Sequence, residues 1–352
     1  MILAQAPSRI DFSGGFTDVQ PFSNDHRAVH VNAAVDLWVR LGIEARADNC
    51  IHLNLINART AFRINRTDYP QSHYDLRLIQ AAMRYFAINT GLDVIIHSEA
   101  PIGIGLGTSG ATAVALVGAL SALQGKSKLS PEEIAEIAFN LEQSTGALGG
   151  RQDEYAAVFG GFSQFNFFPE LRYRRPLRLG PWTVKAVESH LVVAHPGGHR
   201  HSSDLVSSVL GAYELGDTNV IGALLALNSL AKNIVATLET GTTDQLAYLL
   251  RDIRYHQCRL HPNIMDERTA RLVVELATIG VHGVKVLGGG GSGSGLLVCA
   301  HKSPRRAKKM LVENGCRLVP VRFAHTGLRV SRVAKFPVPF NFTELERATD
   351  EY

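Results

Sequence analysis

The chain has 352 residues, 45% hydrophobic and 19% charged, with a mean hydropathy of +0.02. That is too apolar for a disordered chain and too unpatterned for a fibrous one, and at about 100–200 residues per domain it predicts two domains. Thirty-six basic against 32 acidic residues give a net charge of +4 without any block of like charge, so neither an acidic tail nor a nucleic-acid-binding arm is expected.

In chain order, Arg9 stands at the start of a first predicted strand, and Val29, Val31, Ala33 and Val35 alternate through to Leu41 as a second. Residues 76–86 place Leu76, Ile79, Ala82 and Phe86 on one helical face, and 93–97 read as a buried strand. After the glycines of 103–107, residues 109–123 predict a helix of small and apolar side chains. Its core, 111–123, is the longest apolar run and is shorter than the roughly 20 residues that span a bilayer. Ser130, Pro131 and Glu133 form a helix-start signature, with the helix running to about Glu142. Residues 177–182 read as a linker, which puts the domain division at 1–180 and 181–352. Beyond it, strands at 191–194, 284–287, 296–299 and 318–323 alternate with helices at 219–237, 243–256, 266–279 and 303–314. Strands and helices interleaved in both halves predict an α+β protein. The cluster Arg305, Arg306, Lys308 and Lys309 reads as a solvated helix face.

Met1 leads directly to Pro7, Arg9 and Asp11, without the basic start and apolar middle of a signal peptide. Cys50, Cys258, Cys299 and Cys316 are scattered, with no paired spacing. Free thiols in a reducing, cytoplasmic compartment are therefore expected, with no zinc site and no membrane partner.

Four glycine-rich segments stand out. In PIGIGLGTSGATA (101–113), glycines between a strand and a helix let backbone N–H groups turn toward a phosphate, and the helix start adds its positive dipole end. Thr108 and Ser109 add hydroxyls suited to a phosphate oxygen or Mg²⁺, yet no Gly-Lys pair follows as in a Walker A loop. Gly149 and Gly150 precede Asp153, with Glu142 upstream; singly each acid reads as a surface or capping residue, and only combination with a phosphate loop favours a functional role. PSRIDFSGGFTD (7–18) presents Arg9 and Asp18 around a turn, and KVLGGGGSGSG (285–295) is denser in glycine than packing alone explains.

The three segments PSRIDFSGGFTD, PIGIGLGTSGATA and KVLGGGGSGSG, in this order and spacing, resemble the three motifs of the GHMP kinases. The resemblance implies a two-domain α+β fold, with a first domain like domain 2 of ribosomal protein S5 and a ferredoxin-like second domain. ATP and acceptor would share the cleft between them. It implies that Pro101, Gly103, Gly105, Leu106, Gly107, Thr108, Ser109, Gly110 and Ala111 surround the ATP phosphates, and that Ser109 and Glu142 hold Mg²⁺. Asp153 would face the acceptor hydroxyl and Arg9 would polarise it and steady the phosphoryl group. Gly14, Gly15, Thr17, Asp18, Arg200, Gly289, Gly290 and Gly291 would bind the acceptor.

GGFTDVQPF and GGRQDEYAAVFGG are similar to segments of the family's sugar kinases that act at the anomeric carbon. The implied acceptor is a sugar or sugar phosphate, D-glycero-D-manno-heptose 7-phosphate first among them, phosphorylated by a monomer or homodimer. A kinase of fucose, galactose or a non-sugar alcohol such as mevalonate stays open, as does a ligand sensor without catalysis. The stretch 199–203 is a candidate for an acceptor phosphate and equally an exposed polar loop. Thr108, Gly110, Phe16, Ser292 and Ser294 depart from the motifs, and Phe16 bears most directly on the acceptor pocket.

Overall fold

The computed structural model describes residues 1–68, 73–125, 129–169, 171–198 and 202–339. The chain runs β1 (Ile2–Asp11), α1 (Phe22–Asp25), β2 (Ala28–Arg46), β3 (Cys50–Leu55), β4 (Thr60–Asn65), α2 (Tyr74–Tyr85), β5 (Gly91–Ser98), α3 (Thr108–Gln124), α4 (Pro131–Ser144), α5 (Gln152–Phe159), β6 (Phe162–Phe167) and β7 (Arg172–Pro176). It continues through α6 (Pro181–His190), β8 (Leu191–His195), α7 (Ser202–Glu214), α8 (Thr218–Thr240), α9 (Thr243–Leu260), α10 (Glu267–Thr278), β9 (Gly283–Val286), β10 (Leu296–Cys299), α11 (Pro304–Glu313), β11 (Arg317–Val319) and β12 (Arg329–Arg332).

Two sheets result, and the fold is α+β. The larger has the order β12-β1-β2-β5-β3-β4, with β6 pairing the first part of β2 and β7 beyond it. Strand β2 is long enough to pair twice: residues 28–33 take β6, and 39–46 take β5. The register of β1 on β2 shifts between Pro7 and Ser8, where proline lacks the N–H that a regular ladder needs. The smaller sheet is antiparallel, in the order β11-β8-β10-β9. Strands β8, β9 and β10 are almost wholly buried, with α9 packed on β9 and β10 and α11 on β8 and β11.

Helix α3 is apolar all round, and residues 110–120 are buried without a break, the mark of a helix enclosed on every side. It packs against β1, β2, α4 and α5. A second apolar core reaches across the molecule, joining Ile10, Phe12, Val29 and Val31 to Leu224, Leu227, Ile253 and Val286. Burying both halves in one core fixes their relative position.

Most predicted elements appear within a few residues of their expected ends. Three expectations are corrected. Arg9 lies near the end of β1, not its start. Residues 177–182 are not all linker, because Gly180 caps α6 and Pro181 occupies its first turn, where a missing N–H costs nothing. The expected strand 318–323 ends at Val319, before Pro320, and only Phe323 rejoins a sheet, bridging Val35. Helix α8 is long and apolar enough by composition to cross a membrane. Here its buried face, including Leu224, Leu227, Ala231 and Ile234, packs in the shared core.

The capping box of α4 is complete: the Glu133 N–H donates to Ser130 Oγ at 3.2 Å, and the Ser130 N–H donates to Glu133 Oε2 at 2.7 Å. Ser130→Ala should cost about 1 kcal/mol of stability, read as a shift in the urea unfolding midpoint with the slope unchanged.

Candidate active site

The three glycine segments converge on one cleft because backbone bonds tie them together. The Arg9 N–H donates to Leu106 O at 2.8 Å, the Gly295 N–H to Ile104 O at 2.9 Å, and the Leu287 N–H to Gly295 O at 2.8 Å. Loop 101–107 is thereby held between β1 and the glycine loop 288–295. The contact tolerates no side chain at Gly105 (φ +84°), where a Cβ would lie 2.6 Å from Leu287 O. A cavity of about 610 Å³ opens in front of these loops.

At its floor, Arg9 is 4% exposed and grips Asp153 in the first turn of α5. Its Nε donates to Asp153 Oδ1 at 2.8 Å, its second terminal nitrogen lies 2.5 Å from the same oxygen, and Nη1 donates to Gly105 O. Asp153 keeps 23% of its side chain toward the cleft. Burial pushes its carboxyl above the usual aspartate range, with Asp18 and Asp11 adding to the rise and Arg9 opposing it. Gly107 and Gly110 permit this approach: a Cβ on Gly110 would lie 2.6 Å from that of Asp153.

Asp18 is 1% exposed and lines the same cavity. Its Oδ2 accepts from the Gln152 N–H at 3.0 Å, and its Oδ1 lies 3.4 Å from both Gln152 Nε2 and His30 Nε2. Thr17 Oγ1 sits 2.6 Å from the same His30 nitrogen. A Cβ on Gly150 would fall 2.0 Å from the Asp18 carboxyl carbon, so glycine there is a requirement of the carboxylate's position. Phe16, also lining the cavity, is held at φ +66°, a conformation a bulky residue adopts only under local constraint.

Behind the cleft, Lys285 of β9 crosses to Asp11 at the end of β1, both fully buried. Its Nζ donates to Asp11 Oδ2 at 2.8 Å and to Asp11 O at 2.7 Å. The other carboxylate oxygen accepts the N–H groups of Ser13 at 2.7 Å and Gly14 at 3.1 Å. Burial alone would push Asp11 up, but Lys285, His30 and Arg9 outweigh it and hold the carboxyl well below its ordinary value. Gln257 of α9 adds a second buried crossing, donating to Gly14 O at 3.1 Å and Val286 O at 3.0 Å.

Ser109, Glu142 and Glu154 form an oxygen-rich corner. Glu142, on α4, takes hydrogen bonds from the Tyr74 hydroxyl and from Ser109 and contacts Glu154. Burial pushes Glu142 up, reinforced by Asp153. Carboxylate and hydroxyl oxygens are the donors that hard divalent cations prefer, and the corner fits Mg²⁺.

Of the residues expected here, Arg9, Gly15, Asp18, Gly103, Gly105, Leu106, Gly107, Thr108, Ser109, Glu142, Asp153 and Gly289 line the cavity. Gly14 backs onto Leu227 and Ile253, and Gly290 and Gly291 back onto Ile264 and Leu205. Thr17, Gly110 and Ala111 are buried behind the wall, and Pro101 is half-buried beside it. Arg200, with His199 and His201, lies outside the described residues. Sequence reasoning missed His30, Tyr74 and Glu154; a charged residue inside the buried run GVKV was the available signal for the role of Lys285.

This arrangement defines a small-molecule site on an α+β fold whose phosphate-type loop opens helix α3. Residues 76–161 match the model of the GHMP kinases N terminal domain. It is 27% identical over 332 residues to a bifunctional fucokinase/GDP-fucose pyrophosphorylase of Arabidopsis thaliana, a match covering 87% of this chain and 30% of that longer protein. It is 25% identical over 256 residues to a D-glycero-alpha-D-manno-heptose 7-phosphate kinase of Campylobacter jejuni, covering 71% of this chain and 75% of the relative. The crystal structure of a D-glycero-D-manno-heptose 1-phosphate kinase from Bacteriodes thetaiotaomicron shares the fold, with TM-score 0.76 at 22% identity over 95% of this chain and 100% of that one.

Lys285→Met should leave Asp11 buried and uncompensated at a cost of about 3–5 kcal/mol. The double variant Asp11→Asn with Lys285→Met should recover most of that loss, because both charges are gone and Asn still accepts from Ser13 and Gly14. Chemical denaturation of the two variants checks this.

Proposed function

We propose that this chain is an ATP-dependent phosphotransferase acting on an alcohol, in which the γ-phosphoryl group moves to the C1 hydroxyl of a sugar or sugar phosphate. The observation that carries the reading is Asp153. Its carboxylate is half-buried, pinned by Arg9 and open to the cleft between the start of α3 and Asp18. Phosphoryl transfer asks mainly for alignment and charge neutralisation, and the pieces are arranged for both.

Residues 103–109 turn backbone toward the cleft at the positive end of a 17-residue helix, where phosphate oxygens are favoured. Ser109 and Glu142 would hold Mg²⁺, which supplies charge neutralisation on the phosphates. Asp18, clamped by Gln152 and His30, presents a fixed carboxylate to which an acceptor donates hydroxyl hydrogen bonds. Asp153 takes the proton from the attacking hydroxyl, and Arg9 steadies the charge that develops on the transferred group. The matches to fucokinase and heptose 7-phosphate kinase favour a sugar, with D-glycero-D-manno-heptose 7-phosphate the first to try. Mevalonate kinases of Thermococcus sibiricus and Pyrococcus furiosus, each 25% identical over 95% of the chain, keep a non-sugar alcohol as the second reading. We place nucleotide binding in residues 1–180 and the covering half in 181–352, with activity in the cytoplasm.

An ATP-consumption screen across hexoses, fucose, heptoses, their terminal phosphates and mevalonate should give turnover with a sugar. Phosphorus NMR of the product should show an anomeric phosphate; transfer to another hydroxyl, or to mevalonate alone, rejects the C1 assignment. In the same assay, Asp153→Asn should lower kcat by about 100- to 10,000-fold, the span of a lost general base. Nucleotide affinity by calorimetry should change by less than about threefold, because the base acts on the acceptor.

A further inference from the structure

Glu154 follows Asp153 on α5 and has no part in the chemistry above. Its side chain is 2% exposed, it lines the cleft cavity, and its Oε2 atom is buried with no hydrogen-bond partner. The carboxylate meets that of Glu142, itself 7% exposed and reached by Ser109 and Tyr74. The charges that act on Glu154 are those of Glu142 and Asp153, both of its own sign, and with burial they push its carboxyl well above the usual range. The nearest arginine of the cleft, Arg9, is committed to Asp153 and to the Gly105 carbonyl. The two carboxyls share a side-chain hydrogen bond, so a proton joins them, and a divalent cation lying between them would take that proton's place and meet the orphaned oxygen.

We propose that Glu154 completes a divalent-cation site with Glu142 and the Ser109 hydroxyl, and that this site takes Mg²⁺ or Mn²⁺ on the free protein, before nucleotide arrives. Two carboxylates and a hydroxyl form a three-oxygen face, leaving the other positions of an octahedral ion to water and, later, to phosphate oxygens. The Tyr74 hydroxyl donates to Glu142 and fixes one of its oxygens. The inference rests on the phosphotransferase reading for the cation's purpose, and on the side chains alone for its existence.

The test uses the full-length protein without nucleotide and Mn²⁺ as probe, with free Mn²⁺ followed by electron paramagnetic resonance. One ion per chain should bind, Mg²⁺ should displace it, and Glu154→Gln should weaken binding by at least about tenfold. Gln keeps the size of the side chain, and the thermal unfolding midpoint confirms that the variant is folded. Absence of Mn²⁺ binding to the parent protein overturns the proposal, and so does equal binding by parent and Glu154→Gln, which would leave Glu154 as a hydrogen-bond partner of Glu142. Because no acceptor and no ATP are present, failure of the kinase reading leaves this result untouched, and the reverse also holds.

Discussion

One buried ion pair decides whether the cleft has a shape at all. Asp11 and Lys285 come from opposite ends of the chain, 274 residues apart, and from different sheets. Taking both charges out of water costs several kcal/mol each, and their attraction offsets this only if every remaining lone pair and proton is used. Here most are: two ammonium protons reach the side chain and the backbone carbonyl of Asp11, and the carboxylate collects Ser13 and Gly14. An apolar pair of similar volume would join the halves equally well. It would not hold the turn 13–18 at a fixed distance from the glycine loop, and that turn delivers Asp18. The pair is a device for position more than for stability.

The same economy runs through the glycines. Gly105, Gly110 and Gly150 are not flexible joints; each stands where another backbone or a carboxylate occupies the space of a Cβ. Close approach lets Arg9 reach a loop carbonyl and lets α5 lie against the start of α3, so Asp153 emerges within reach of the phosphate-type loop. Phe16 shows the opposite case, a large ring held at positive φ because its burial in the shared core outweighs the backbone cost.

How much of this was legible follows from range. Helices with a periodic face and a start signal, such as α2 and α4, were readable because their determinants lie within a few residues. The motifs were readable because glycine and acid spacing is local as well. Strands β3 and β4 went unseen for different reasons: in β4 exposed positions such as Arg63 and Asn65 dilute the apolar signal, whereas β3 alternates Ile51, Leu53 and Leu55 over only six residues and gains its order by pairing with β5. Helices α6 and α7 were hidden by a Gly-Pro read as a turn and by a serine-rich start. His30, Tyr74 and Glu154 were invisible for a different reason. A histidine in a strand, a tyrosine at a helix start and a glutamate in a helix are ordinary residues until folding brings them against Asp18 and Glu142.

The charge distribution of the cleft gives the deepest constraint. Asp18, Asp75, Glu142, Asp153 and Glu154 all line one cavity, against Arg9 as the arginine on its wall. A polyphosphate approaching such a surface meets repulsion, and the dipole of α3 contributes only about half a unit charge to oppose it. Asp18 and Asp153 are spoken for by Gln152, His30 and Arg9, and they lie toward the acceptor turn. Glu142 and Glu154 lie toward Ser109, hydrogen-bonded to each other and, at Glu142, to Tyr74 and Ser109, with no arginine or lysine paired to them among the described residues. Carboxyls without a cationic partner are therefore concentrated where the phosphates would have to pass. A cleft built this way binds a nucleotide as its cation complex or binds the cation first. Two carboxylates at one corner favour the second order, because the ion then turns the most repulsive part of the wall into the most attractive.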